Sequence, residues 1–304
     1  MSASEPLPPA FSGWMTQTLQ TVERALETWV PAQAPAGLGE AMRYAVLDGG
    51  KRLRPLLVCA SAEAVWGHPA PDAQAEPLHR AACAVELIHA YSLVHDDMPC
   101  MDNDVLRRGK PTVHVQYGEA QALLAGDALQ ALAFELLLDI SPPALALALA
   151  RQLAVASGHL GMAGGQAIDL AGVGQRLSQH ALEDMHRRKT GALLLASVTM
   201  GATVAGASDG TLAALRRYGQ ALGLAFQVID DVLDVVADSA TLGKTAGKDA
   251  AADKPTFVSL MGLDGARAYA MDLLAQAHAA LDDASLGQPD SLRHLADWVV
   301  RRHH

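Results

Sequence analysis

Apolar residues return every three or four positions over residues 15–29, 78–94, 116–138, 182–204, 211–236 and 265–281. That spacing puts the apolar side chains on one face of an α-helix, so each stretch predicts a helix. The run ALALALA at 144–150 alternates as a strand would, but alanine and leucine are poor strand formers and good helix formers, so it too is read as helix. Pro/Gly-rich breaks fall at 31–39, 67–77, 141–143, 172–174, 206–210 and 287–289. Each is loop-sized, none is a long polar linker, and no repeat of solenoid length is visible. The expected architecture is all-α, a single domain over residues 1–304 built from many helices.

Composition supports that reading. Half of the 304 residues are hydrophobic and only 4% are aromatic, a profile of closely packed Ala- and Leu-rich helices. The formal charge of −10 disfavours a nucleic-acid binder, which needs a basic face, so any phosphate site must rely on local cations. Cys59, Cys83 and Cys100 are odd in number and widely spaced, which suits a reducing compartment rather than a disulfide framework. The N-terminus lacks the basic start and apolar run of a signal peptide, and a cytoplasmic protein is expected. The nearest approach to a membrane span is the uncharged run 191–208; a helix without charge on any side also fits the buried centre of a helical fold, and no span is expected.

Against this background the charged clusters stand out. HDDMPCMDNDVLRRGKPT, residues 95–112, holds Asp96, Asp97, Asp102 and Asp104 and runs directly into Arg107, Arg108 and Lys110. Pro99 cannot continue the preceding helix, so Asp96 and Asp97 fall at its C-terminal end, where the helix dipole disfavours anions unless a cation binds them. A second cluster, FQVIDDVLD, places Gln227, Asp230 and Asp234 along one edge of an otherwise apolar helix. Like charges at that spacing repel, and all-oxygen clusters suit hard divalent cations; magnesium is commonly held by one or two carboxylates together with substrate phosphates. Cationic stretches recur at GGKRLRP (49–55) and HRRKTG (186–191), and at Lys244, Lys248 and Lys254. Arginine forks and lysine point charges bind phosphate oxygens. Two acidic clusters among four basic ones therefore point to a metal-bridged polyphosphate.

GGKRLRP, HDDMPCMDND…LRRGKPT, RRKTG, FQVIDDVLD and LGKTAGKDAAADKPT stand in the order and spacing of the short-chain prenyl diphosphate synthases, and the chain resembles that family from about residue 38 to 280, its farnesyl-producing bacterial members most of all. The resemblance implies the isoprenoid-synthase fold, with helices around a deep central cavity, and a homodimer. It implies head-to-tail condensation of isopentenyl diphosphate with dimethylallyl or geranyl diphosphate, to give farnesyl diphosphate. It places about three magnesium ions per site on Asp96, Asp102 and Asp230, with manganese as an alternative and with Asp97, Asp231 and Asp234 in or near the shells. Arg107, Lys189, Thr190, Gln227, Lys244 and Lys254 would hold the allylic diphosphate; Lys51, Arg54, His89 and Arg108 would hold isopentenyl diphosphate. Tyr91, five residues and about 7.5 Å of helix rise before Asp96, with Ser92 beside it, would floor the cavity and stop growth at C15. An aromatic there, with the two-residue insertion in the first aspartate motif, marks farnesyl production in the resembled family. The departures are Asn103, in a stretch often wholly acidic, and Phe257, where tyrosine is common.

Other readings stay open from sequence. A geranylgeranyl diphosphate synthase would share almost every motif. A class I terpene cyclase has no need of the second diphosphate site offered by Lys51, Arg54 and Arg108. An HD-type phosphohydrolase would want further histidines near His95 and Asp96, and a non-catalytic synthase subunit would not need intact aspartate clusters.

Overall fold

A computed structural model describes residues 7–47, 49–175, 177–236 and 255–302. Its helices are α1 (Pro9–Trp29), α2 (Leu38–Val46), α3 (Leu53–Trp66), α4 (Asp72–Asp96), α5 (Val113–Tyr117), α6 (Glu119–Leu138), α7 (Pro143–Ser157), α8 (Met162–Ala171), α9 (Gln179–His186), α10 (Ala192–Val204), α11 (Asp209–Val236), α12 (Phe257–Asp282) and α13 (Asp290–Arg301). Strands β1 (Leu106–Arg107) and β2 (Lys110–Pro111) form a short antiparallel hairpin, the only sheet among the described residues.

The core divides into two apolar clusters, and α3 and α10 serve both. Val58, Cys59 and Ala62 of α3 join Leu193, Ala196 and Met200 of α10 in one cluster; Leu56, Leu57 and Ala60 join Leu194, Val198 and Ala202 in the other. A helix with apolar residues on every side is stable only when buried all round, and these two are. This answers the uncharged run at 191–208: its helix is 13 residues long and nearly all buried. Length and composition would allow one described helix, Glu119–Leu138, to cross a membrane; 44% of its most apolar window is buried in the fold.

The ALALALA run is helix, inside α7. Three expected elements differ in detail. The 116–138 helix is broken at Gly118, whose φ of 88° and ψ of 157° end α5 and start α6. The break expected at 67–77 ends sooner, because α4 begins at Asp72 and carries Pro77 in its second turn. The 182–204 helix contains a π-turn at Arg187–Gly191. All three cysteines are free, with Cys59 and Cys83 buried and Cys100 exposed.

Candidate active site

The first aspartate motif is built at the end of α4. After Asp97, which caps the helix, the loop folds back on itself: Asp102 N donates to the Asp96 carbonyl at 2.9 Å, and Asp104 N to the Asp97 carbonyl at 3.1 Å. Asn103 sits at φ 51°, a left-handed conformation that asparagine tolerates better than most residues, and this gives the departure from an all-acidic stretch a backbone reason. Burial pushes the Asp96 carboxyl up to about 6; Lys189 and Arg107 oppose that rise, and Asp102 and Asp97 add to it. Asp97 has a different fate. Arg107 grips it two-pronged, Nη2 to Oδ1 at 2.6 Å and Nε to Oδ2 at 2.8 Å, with the carboxylate almost wholly buried.

The RRKTG stretch lies in the π-turn. A π-turn widens the helix by one residue and often marks a functional site. Here it sorts the cations: Arg187 and Arg188 pair back one turn with Glu183 and Asp184, whereas Lys189 Nζ reaches buried Asp169 on α8 at 2.6 Å and acts on Asp96. The approach of α8 is close, because a Cβ on Gly165 would stand 2.1 Å from the Lys189 nitrogen. Thr190 Oγ1 donates to Gln227 Oε1 at 3.1 Å, and Gln227 Nε2 donates to Asp231 Oδ1 at 3.0 Å. Asp231 Oδ2 accepts from the Phe257 nitrogen at 2.8 Å and so helps cap α12, where Thr256 and Ser259 complete a capping box. Gln227 thus pairs with Asp231, not with the Asp230–Asp234 edge predicted from spacing.

Asp230 lies among cations. Arg302, just beyond α13, pairs with its carboxylate and lies over the Phe226 ring at 4.2 Å. Lys51 acts on the same carboxylate; burial lowers its pKa, Arg302 adds to that, and Asp230 opposes it. Burial likewise lowers Arg54, against Glu86 and Asp230, and its Nε is buried without a hydrogen-bond partner. Arg52, from the same GGKRLRP stretch, is tied into Glu86 at 2.8 Å and Glu23 at 2.7 Å, beside the Val46 carbonyl, and faces the core. His89 is held well below its usual range by burial and then by Arg54, Arg108, Arg107 and Arg52, so it is neutral and ringed by positive charge. Arg108, at the hairpin turn, donates to the Gly49 carbonyl and ties the hairpin to the GGKRLRP loop. Lys244 and Lys254 lie outside the described residues.

Among the described residues no three His, Cys, Asp or Glu side chains close on one point as a preformed metal site. The donor set still fits a hard cation. The candidate ligands are all carboxylates, Asp234 keeps a buried Oδ1 without a partner, and Asp96 is pushed toward neutrality chiefly by burial, a cost that a bound cation reverses.

The sequence pattern of the polyprenyl synthetases matches residues 35–285. The chain belongs to that family. As a polyprenyl synthetase it is a prenyltransferase with the all-α prenyl synthase fold, which answers the phosphohydrolase and terpene cyclase readings. It is 48% identical over 270 residues to the farnesyl diphosphate synthase of Escherichia coli, covering 86% of this chain and 88% of that one. It is also 43% identical over 307 residues to the large subunit 1 of a chloroplastic heterodimeric geranylgeranyl pyrophosphate synthase of Arabidopsis thaliana, covering 98% and 81%. Its structure superposes on an apo FPP/GFPP synthase of Zymomonas mobilis with a TM-score of 0.84 at 40% identity, over 96% and 99% of the two chains. A geranyltransferase of Helicobacter pylori complexed with magnesium and isoprenyl diphosphate gives 0.82 at 33% identity, over 98% of each chain.

Sequence reasoning missed two contributors. Asp169 lies on α8, and a lone acid in GGQAIDLA was the available signal. Arg302 had no such signal, since only the path of α13 brings it to Asp230.

Proposed function

We propose that this prenyl diphosphate synthase makes farnesyl diphosphate, condensing isopentenyl diphosphate with dimethylallyl and then geranyl diphosphate. The observation that carries the C15 reading is Tyr91: a half-buried aromatic ring on α4, within electrostatic reach of Asp96 and one to two turns before it. Ser92, which shares the Asp96 face, donates to the His89 carbonyl at 2.8 Å and is small enough to leave the path to Tyr91 open.

Asp96, Asp102 and Asp230, with Asp234 close by, are the residues that would hold magnesium, and manganese could take its place. The bound metal supplies positive charge against the departing diphosphate. Arg107, Lys189, Thr190 and Gln227 grip the allylic diphosphate, and Asp97, Asp169 and Asp231 fix their positions. The Thr190 hydroxyl donates a hydrogen bond to Gln227 Oε1, which orients both side chains beside the allylic cation left as the diphosphate departs. Lys51, Arg54, Arg108 and neutral His89 hold isopentenyl diphosphate, whose double bond attacks that cation. The released diphosphate takes the last proton, so no protein base is required.

The exposed leucines Leu138, Leu147 and Leu160 on and beside α6 and α7, 63%, 68% and 57% accessible, support a homodimer. We also propose a single domain in the cytoplasm without a membrane span; the partial burial of α6 in the fold bears on the last of these alone. One assay tests the whole reading: incubation with magnesium and geranyl diphosphate, with and without isopentenyl diphosphate, followed by product identification. C15 formed only with both substrates is expected. C20 as the main product would favour the geranylgeranyl reading, and no turnover would favour a non-catalytic subunit.

A further inference from the structure

The entry to α3 carries an arrangement that the condensation chemistry does not use. The chain reaches this helix through Gly49 and Gly50, at φ 74° and 129°, and then places Arg52 at φ 45° and ψ 35°. Glycine accepts a left-handed conformation freely, whereas an arginine there is strained and needs something to keep it. Its side chain supplies the hold. Nε and Nη2 donate to the two carboxylate oxygens of Glu23 on α1 at 2.7 and 3.3 Å, Nη2 also to the Val46 carbonyl at the end of α2 at 2.6 Å, and Nη1 to Glu86 Oε1 on α4 at 2.8 Å. One buried planar fork thus ties the residue before α3 to three other helices. A buried ion pair is a weak source of stability, because desolvation offsets most of the attraction; what a rigid fork supplies is a fixed geometry.

That geometry bears on three cations. Lys51 and Arg54 lie on either side of Arg52 in sequence, and Arg108 rests on the same loop: it donates to the Gly49 carbonyl, and a Cβ on Gly50 would stand 2.7 Å from its Nη2. Arg54 is fixed in the first turn of α3, so a change of φ and ψ at residue 52 would swing Lys51, and the glycines on which Arg108 rests, away from it. We propose that Arg52 is a positioning residue for the isopentenyl diphosphate site: clamped by Glu23, Glu86 and the Val46 carbonyl, it locks the GGKRLRP loop so that Lys51, Arg54 and Arg108 meet on one diphosphate. This rests on the reading that those three cations hold isopentenyl diphosphate.

The test uses the full chain with magnesium, geranyl diphosphate and isopentenyl diphosphate, each substrate varied in turn and turnover read as diphosphate released, so that product length does not enter. Arg52→Lys keeps a cation between the two carboxylates but cannot span all three partners. Its KM for isopentenyl diphosphate should rise about tenfold or more, as a misplaced binding group implies, with kcat and KM for geranyl diphosphate near parental. Glu23→Gln loosens one end of the clamp while Arg52 keeps Glu86, and should raise the same KM by less; it stands alone should Arg52→Lys fail to fold. In a Lys51→Met background Arg52→Lys should add less than it does in the parent, because it acts through Lys51, and a general loosening of the core would not produce that coupling. Folded variants that keep the parental KM for isopentenyl diphosphate, while Lys51→Met raises it, overturn the clamp and leave the site assignment intact. Full additivity of the two changes, or a rise in the clamp variants shared equally with geranyl diphosphate, overturns the clamp in the same way. A Lys51→Met protein with the parental KM for isopentenyl diphosphate overturns the assignment and the clamp with it.

Discussion

The two aspartate motifs solve one problem with different local structures. In the first, Asp96 ends a helix, and a folded-back loop brings Asp102 beside it, so the site is rich in carboxylates and Asp96 is pushed up to about 6. In the second, Asp230 lies within a regular helix and is ringed by Arg302, Lys51 and Arg54. Beneath this difference is a shared division of labour. The second aspartate of each pair builds the wall: Asp97 holds Arg107, and Asp231 holds Gln227 and caps α12. Adjacent aspartates on a helix point about 100° apart, so a DD pair cannot put both carboxylates on one ligand without bending the backbone. In the proposed function the first of each pair faces the substrate, while its neighbour is engaged behind it.

The largest effects should come from the outward members. Asp96→Ala and Asp230→Ala should each lower kcat about a thousandfold or more with the fold retained, because their charge matters chiefly as the allylic bond ionises. Steady-state kinetics with circular dichroism checks this, and near-parental turnover in both variants breaks the metal assignment. Neutralising the cations beside Asp230 should instead separate the substrates. Lys51→Met should raise KM for isopentenyl diphosphate about tenfold or more, as loss of a charge-assisted contact implies, and that for geranyl diphosphate much less. Equal rises would show that the division of cations between the two sites is wrong.

The inward members should behave as structure. Asp97→Asn and Asp231→Asn should each lower stability by about 2 kcal/mol in urea unfolding, because each leaves a buried donor without its full acceptor. Variants as stable as the parent but without activity would place these residues among the ligands instead. The last effect appears only in acid and leaves neutral-pH behaviour untouched; it concerns the wall behind the second motif, where the His186 ring lies 5.5 Å from that of Phe257. Burial holds His186 down at about 4, with Asp169 opposing and Lys189 adding. The folded ring stays neutral while the unfolded one takes a proton near the ordinary 6.5, so this stability is present above pH 6.5 and is lost as pH falls toward 4. His186→Leu should keep on the order of 3 kcal/mol that the parent loses across that window. Parallel acid limbs for the two proteins would show that His186 does not titrate this way.

Much of this molecule could be read along the chain. Helical periodicity depends on neighbours three and four residues apart, so it located the helices, and Pro99 with the crowded aspartates placed the first motif at a helix end. The motifs, by their order along the chain, also pointed to the family. What spacing could not supply is which charge answers which. Asp97 and Arg107 meet across ten residues of sequence, Thr190 and Gln227 across 37, and Arg302 and Asp230 across 72. The π-turn that parts Lys189 from Arg187 and Arg188 packs against α8, where Gly165 allows the close approach of the two backbones. Local periodicity is a property of the chain itself, whereas the partner of a buried charge is chosen by whichever distant helix the core brings alongside, and only the tertiary structure decides that.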